Sequence, residues 1–361
     1  MVPVRPFGVE DLEAVAQLHA RVFNQGWRHA DDLRRRATYL RQVFLEHRDV
    51  GCAVPSYVAE EQGRVLGFLG VAPRRFLYME KPVLAAVCTQ FIADPVGQSR
   101  MVGIQLLSTC LRGPQDLTIA DEANNAARIL WEGFGGTTAL LYSLSWTRIL
   151  RPAGYVVSLI GLRRGWRSLA RVIRPASRLL DTVAAHGAGG PLRPPVSTAT
   201  GTVLSDASAP EDGCDYHDGS RLRPDLPNDD RNWLLRRAAD KPCGGTLTRV
   251  RVSSGREGVV GWYLYYVNPG GISEVVTIAA KSRARGVVFT HLLQHAWHGG
   301  AIAVSGRVLP QWMPALSEHR CFFSRGPWVL VHSRRPDIVQ TFHEGTASSS
   351  RLEGEWCLGY Q

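Results

Sequence analysis

The chain reads as an α/β protein of the α+β kind, with two domains, each a mixed, mostly antiparallel twisted sheet flanked by helices. Three observations predict this. Across residues 1–150, segments of period 2 and segments of helical spacing run strand, two helices, three strands, helix, strand, helix, strand. From residue 246 the order three strands, helix, strand, helix, strand returns. Between the two, residues 187–202 are rich in Gly, Pro, Ser and Thr, the composition of a flexible boundary. At 361 residues the chain is long enough for two cores of ordinary size. The expected divisions are a first domain at 1–150, a connector at 151–202 and a second domain at 203–361.

Residues 2–7 form a short strand. Gly8 to Asp11 opens a helix whose Leu12, Val15, Leu18, His19 and Val22 share one face, and an arginine-rich helix follows at 31–47. Residues 56–61 and 65–72 alternate as strands about a turn at Gln62, Gly63 and Arg64, and further strands cover 75–80 and 83–93. A strand at 117–120 precedes a helix at 124–132, closed by Gly133 and Gly135-Gly136, and a strand at 139–146. Residues 161–186 contain an amphipathic helix, with Trp166, Leu169, Ala170 and Ile173 on one side and Arg167, Arg171, Arg174 and Arg178 on the other, interrupted at Pro175. In the second half strands are expected at 246–252, 259–266, 274–279, 301–308 and 328–332, and helices at 283–297 and 311–319.

The junction at 93–107 is the most informative stretch. A strand passes through Asp94-Pro95 into a short loop and then a helix. The first N–H groups of that helix have no internal partner, and the macrodipole adds positive potential, so the junction makes a cradle for a pyrophosphate. Position by position it resembles the acyl-CoA loop of the GNAT acetyltransferase superfamily: Pro95, Gln98, Gly103 and Leu106-Leu107 match, with Met101 where a glycine is usual. A second match to the family follows in order at Asn124, Ala127, Leu130-Trp131-Glu132 and Gly135-Gly136. More loosely, the second half and the tail from Ser350 to Leu358 resemble tandem-GNAT proteins of bacterial surface-polysaccharide biosynthesis.

The resemblance implies two GNAT-like domains, an acyl-CoA-dependent N-acyltransferase and acetyl-CoA as co-substrate. The pyrophosphate would rest on Gln98, Ser99, Arg100, Met101, Val102 and Gly103, the last permitting close approach of the backbone. Pantetheine would lie beside Phe91, Ile92 and Ala93, where a backbone N–H would hold the oxyanion. Asn124 is either a helix cap or a CoA contact. Trp131 stands where the family often carries the tyrosine that protonates the departing thiolate, and indole cannot supply that proton. Either the thiolate leaves unassisted, or Tyr142 or water substitutes. Asp121 and Glu122 are the best placed carboxylates to take the amine proton, or else plain acids before a helix. The acceptor would be a small amine, an amino sugar on the looser resemblance. Two other readings stand beside this one: a Fem-type aminoacyl-tRNA-dependent peptidyl transferase, and a non-catalytic CoA-binding pseudo-enzyme.

Composition narrows the partners. The formal charge is +10, carried almost wholly by arginine, since lysine occurs only at 81, 241 and 281. Such a chain attracts anions in general. With no basic motif interleaved with aromatics, nucleic acid is not expected. The arginine face of the connector leaves peripheral membrane contact open. Seven scattered cysteines without a C-x-x-C pair read as small core residues, and His291, His295 and His298 as a solvated face, so no metal site is expected. No apolar run reaches the ~20 residues of a membrane span. The first residues lack a signal-peptide layout, and cytoplasmic residence is expected. Oligomeric state is not indicated.

Overall fold

Two tight hairpins start the first sheet. β1 (Val4–Pro6) pairs with β2 (Tyr57–Glu61), which turns at Gln62 and Gly63 into β3 (Arg64–Tyr78). Both turn residues have positive φ, 52° and 77°, which matches the twist of the strands they join. β3 turns again at Met79 and Glu80 into β4 (Lys81–Ala93). The expected strands at 65–72 and 75–80 are therefore one. These are features of a computed structural model, which describes residues 2–23, 30–46, 54–94, 99–162, 173, 175–177, 180–181, 193–204, 219–255 and 257–360.

Helices α1 (Leu12–Val22) and α2 (Ala30–Arg41) cover one side of this sheet, α2 continuing as a π turn to Glu46. Val15 and Leu18 of α1 and Leu40 of α2 meet Phe44 and Phe68 in the core. Helix α3 (Ser99–Leu111) buries Val102, Leu106 and Leu107 against the other side. β5 (Leu117–Ala123), helix α4 (Asn125–Gly133) and the short β6 (Thr137–Thr138) follow. The strand expected at 139–146 begins later, as β7 (Leu144–Ile149), because residues 141–143 form a 3-10 turn. Helix α5 (Pro152–Leu162) starts the connector, whose amphipathic helix lies largely outside the described residues.

The second sheet contains β8 (Thr200–Val203), β10 (Thr246–Ser254), β11 (Gly258–Val267), β12 (Ile272–Ala280), β13 (Ala303–Arg307) and β14 (Phe322–Arg325). β9 (Leu222–Pro224) instead joins β3. The helices of this half are α6 (Asn228–Ala239), α7 (Arg285–His298), α8 (Met313–Glu318), α9 (Pro336–His343) and α10 (Glu355–Leu358). The last strand is β15 (Trp328–Ser333).

Strand order shows how the halves combine. The first sheet runs β1-β2-β3-β4-β5-β15-β6 and the second β8-β10-β11-β12-β13-β7-β14. Each has one parallel pair, β4 with β5 and β12 with β13, and each is completed by an antiparallel strand from the other half. Sheet membership thus cuts across a single division of the sequence. One hydrophobic cluster also joins the halves: Leu18, Leu40 and Phe68 share it with Leu234, Tyr266, Leu352 and Leu358.

His291 and His295 were expected on a solvated face and instead turn inward. Tyr263 and Tyr265 hydroxyls lie 3.0 Å and 2.5 Å from their Nδ1 atoms. Burial pushes His291 down to about 4 and lowers His295 as well. Among the described residues, no helix is long and apolar enough to cross a membrane.

Candidate active site

β4 and β5 separate at Ile119. They pair in parallel from Ala85–Leu117 to Val87–Ile119 and no further, although both strands run on. A bulge in β4 accompanies the split. Phe68 faces Ile92 and Gly70 faces Thr89, so Leu69 alone opposes Gln90 and Phe91. Gln90 has φ 51°, in the left-handed region, which bends the strand. Beyond the bulge, the Asp94 N–H donates to Leu66 O at 2.7 Å. The alternation of an antiparallel ladder then turns the main-chain groups of Ala93 and Phe91 away from β3, toward the edge that β5 has left.

A buried relay holds the bulge. Arg36 Nη1 is 2.6 Å from His19 Nδ1, and His19 Nε2 is 2.5 Å from Gln90 Oε1. A guanidinium only donates, so Nδ1 accepts, and Nε2–H donates to Gln90. Burial, with the Arg36 charge adding to it, pushes His19 down to about 4, so the ring is neutral at pH 7. Arg36 also stacks over Tyr360, 4.5 Å from the ring centroid.

At the far end of β4, buried Asp94 accepts from Arg64 at 2.7 Å, and Arg21 approaches within 3.4 Å. Helix α3 begins a few residues later. Arg100 and Met101 of its first turn are exposed, while Val102 is buried against the sheet. Gln98 and the Ser99 side chain lie outside the described residues. At Gly103 a Cβ would meet the Phe91 ring at 3.5 Å and Leu130 at 3.8 Å, ordinary van der Waals contact, so packing alone does not require glycine there.

The opposite wall carries the charge. β5 extends to Ala123, so Asp121 and Glu122 sit in the strand beyond the split. Asp121 is 1% exposed, accepts from Arg307 and accepts the Glu355 N–H at 2.6 Å. Glu122 accepts from Arg307 at 2.9 Å, and its own N–H donates to Glu355 Oε2 at 3.1 Å. Burial raises the Glu122 carboxyl, against the pull of Arg307. Gly354 permits this docking, since a Cβ there would lie 2.1 Å from Asp121 Oδ2.

Glu355 was not anticipated from sequence. Burial, reinforced by the Asp121 charge, pushes its carboxyl up to about 8, although the Glu122 N–H and Thr89 favour the ionised form. It lies deep among protein atoms yet keeps part of its surface accessible. The Thr89 hydroxyl on β4 is buried beside it without a hydrogen bond of full quality.

Three other expected residues are placed elsewhere or held in structural contacts. Asn124 caps α4, accepting the Ala127 N–H at 2.9 Å. Trp131 is buried, its pyrrole edge packed on Gly136, and its N–H has no partner among the described residues. Tyr142 donates to Ala347 O at 2.6 Å in a separate core cluster, where burial raises its hydroxyl.

Known folds match this arrangement. A conserved protein of unknown function from Enterococcus faecalis V583, a probable N-acyltransferase, superposes with TM-score 0.58 at 12% identity, over 95% of this chain and 74% of its own. The GCN5-related N-acetyltransferase from Anabaena variabilis ATCC 29413 gives 0.57 at 12%, over 91% and 72%. Eis1 from Mycobacterium abscessus gives 0.51 at 15%, over 91% and 73%. The fold is GNAT-like. No protein-family model and no curated protein sequence matches the chain.

Within this GNAT-like frame the two parallel pairs differ. β12 and β13 also part, after Glu274–Ser305, but Trp146, Phe289, Leu309, Trp312 and Leu316 fill the space between them. The cavity left is about 10 Å³, room for a single water at most. That space is too small for a pantetheine-sized chain.

Proposed function

We propose that the chain is an acyl-CoA-dependent N-acyltransferase that moves an acetyl group from acetyl-CoA to the amine of a small acceptor. The split of β4 from β5 at the Gln90 bulge, just before the start of α3, supports this reading. It leaves main-chain groups of Phe91 and Ala93 without a strand partner among the described residues, and such groups are costly unless something bonds them. The thioester carbonyl would take one of these N–H donors, which then holds the oxyanion as it forms. Pantetheine would run along Phe91, Ile92 and Ala93. Its diphosphate would meet the α3 start at Arg100, Met101 and Val102, with Arg64 and Arg21 adding positive charge nearby.

The acceptor would approach from the side of α1, α2 and the C-terminal helix, where neutral His19 and the Glu122–Glu355 pair lie. An amino sugar is the acceptor class favoured by sequence resemblance. Calorimetric titration with acetyl-CoA is the direct test, followed by thiol release with glucosamine and with simple alkyl amines. Saturable binding that is lost when Ala93 is replaced by proline, which removes an N–H, is the expected result. Absence of binding by the unaltered protein overturns the reading.

A further inference from the structure

We propose that Glu355, carried on α10 at the far end of the sequence, is the group that takes the proton from the acceptor amine in the first-half cleft. This rests on the acyl-transfer reading above. Three carboxylates surround the split, and only their geometry separates them. Asp121 is sealed: Arg307 holds one oxygen and the Glu355 N–H the other. Glu122 is tied to Arg307, which stabilises its charge and weakens it as a base. Glu355 has one oxygen on the Glu122 N–H at 3.1 Å, and no guanidinium donates to it among the described residues. Of the three, it alone joins deep placement to accessible surface with no hydrogen bond from a cation among the described residues.

The Thr89 hydroxyl is the second observation. It is 1% exposed, it is aimed at Glu355 from β4, and it lacks a full hydrogen bond of its own. A buried hydroxyl left in that state is expected to bond whatever enters beside it. Thr89 is the residue just before the bulge, so that position lies next to the donors assigned to the thioester. Glu355 therefore faces the point where amine and thioester would meet.

The step balances as follows. An ammonium acceptor gives one proton to the Glu355 carboxylate. The freed nitrogen pair attacks the thioester carbon, forming C–N, and collapse of the tetrahedral oxyanion breaks C–S. The thiolate gains the second proton from the nitrogen through water, and Glu355 releases its own proton to solvent.

The groups facing Glu355 set its titration. Asp121 and Glu122 of β5 and Tyr39 of α2 face it, as do Cys88 and Thr89 of β4 and Arg307 of β13. Arg237 of α6 and Lys241 beyond it face Cys357 instead. With its carboxyl near 8, Glu355 is an effective base only as pH rises through that value.

The test uses the full-length protein with acetyl-CoA, n-butylamine as acceptor, and water alone as the reference nucleophile. Binding of acetyl-CoA is measured first, by calorimetry, on the unaltered protein and on E355Q. The expected result is acetyl-CoA affinity within twofold, with amine-dependent thiol release down about 100-fold or more. The rising limb of kcat/KM near pH 8 should disappear in E355Q and persist in E355D at lower amplitude. Normal binding with E355Q turnover within threefold, or with an unmoved limb, overturns the assignment of Glu355 alone. So does binding by the unaltered protein with no thiol release to amine or water at any pH. Failure of the unaltered protein to bind acetyl-CoA overturns the acyl-transfer reading itself, and this inference with it.

Discussion

Arg307 on β13 of the second sheet donates to both Asp121 and Glu122 on β5 of the first, so one guanidinium clamps two carboxylates across the halves. Arg307 and Asp121 are both buried, and removing one leaves the other charged without compensation. Arg307→Met is expected to cost ~3–5 kcal/mol. The double change Asp121→Asn with Arg307→Met should cost clearly less than the two single changes summed. Urea unfolding of the four proteins checks this, and strict additivity would argue against a clamp.

Gly354 has φ −85°, an ordinary value, so its role is one of space. A methyl group at 2.1 Å from Asp121 Oδ2 must push α10 off β5. Gly354→Ala is therefore expected to lower stability by ~1–3 kcal/mol and to displace Glu355. Thiol release should fall while acetyl-CoA affinity changes little, because the diphosphate site proposed above lies at the start of α3 and not at α10. Equal loss of both would point to general unfolding.

His19 makes stability depend on pH. Its folded value, about 4, lies below the ordinary 6.5, so its contribution is intact above pH 6.5 and is lost as pH falls toward 4. Protonating Nδ1 also sets two donors, Arg36 and the ring, against each other. The change across that window is ~3 kcal/mol. His291 responds in the same direction, so His19→Gln should remove only part of the slope of unfolding free energy against pH. An unchanged slope would show that His19 titrates alike in the folded and unfolded protein.

Cys88 lies on β4 close to the split, yet its thiol is buried 3.7 Å from that of Cys110. The Cys110 contact and burial hold it well above the ordinary thiol range. A nucleophile needs the thiolate, so none is available here at neutral pH. Cys88→Ala is expected to keep full transfer activity, and iodoacetamide should label Cys88 only after unfolding. Labelling of the folded protein at Cys88 would contradict this.

Local pattern carried much of the fold. The hairpin at Gln62-Gly63, the β4-to-α3 junction and the Asn124 cap each depend on residues close together in sequence. The rest of the candidate site lacked such a signature. The Glu355 to Asp121 and Arg307 to Asp121 bonds span 234 and 186 positions, distances over which no periodicity speaks. Sequence offered Asp121 and Glu122 either as proton acceptors or as plain acids before a helix, and not as strand residues, because the pairing that extends β5 comes from β15, more than two hundred positions later. Nothing in the residue type of Gln90 announces its left-handed backbone. His291 and His295 read as surface because their tyrosine partners lie on β11 and not on their own helix.

The exchange of β7 and β15 has a consequence for how the protein is born. During synthesis β5 emerges with an open edge, and its neighbour β15 does not exist until Trp328 has been added. Glu355, which docks on β5 beside β4, is added later still. A nascent chain stalled before that point exposes an unfinished sheet edge, so termination there should yield aggregates and no partly folded product.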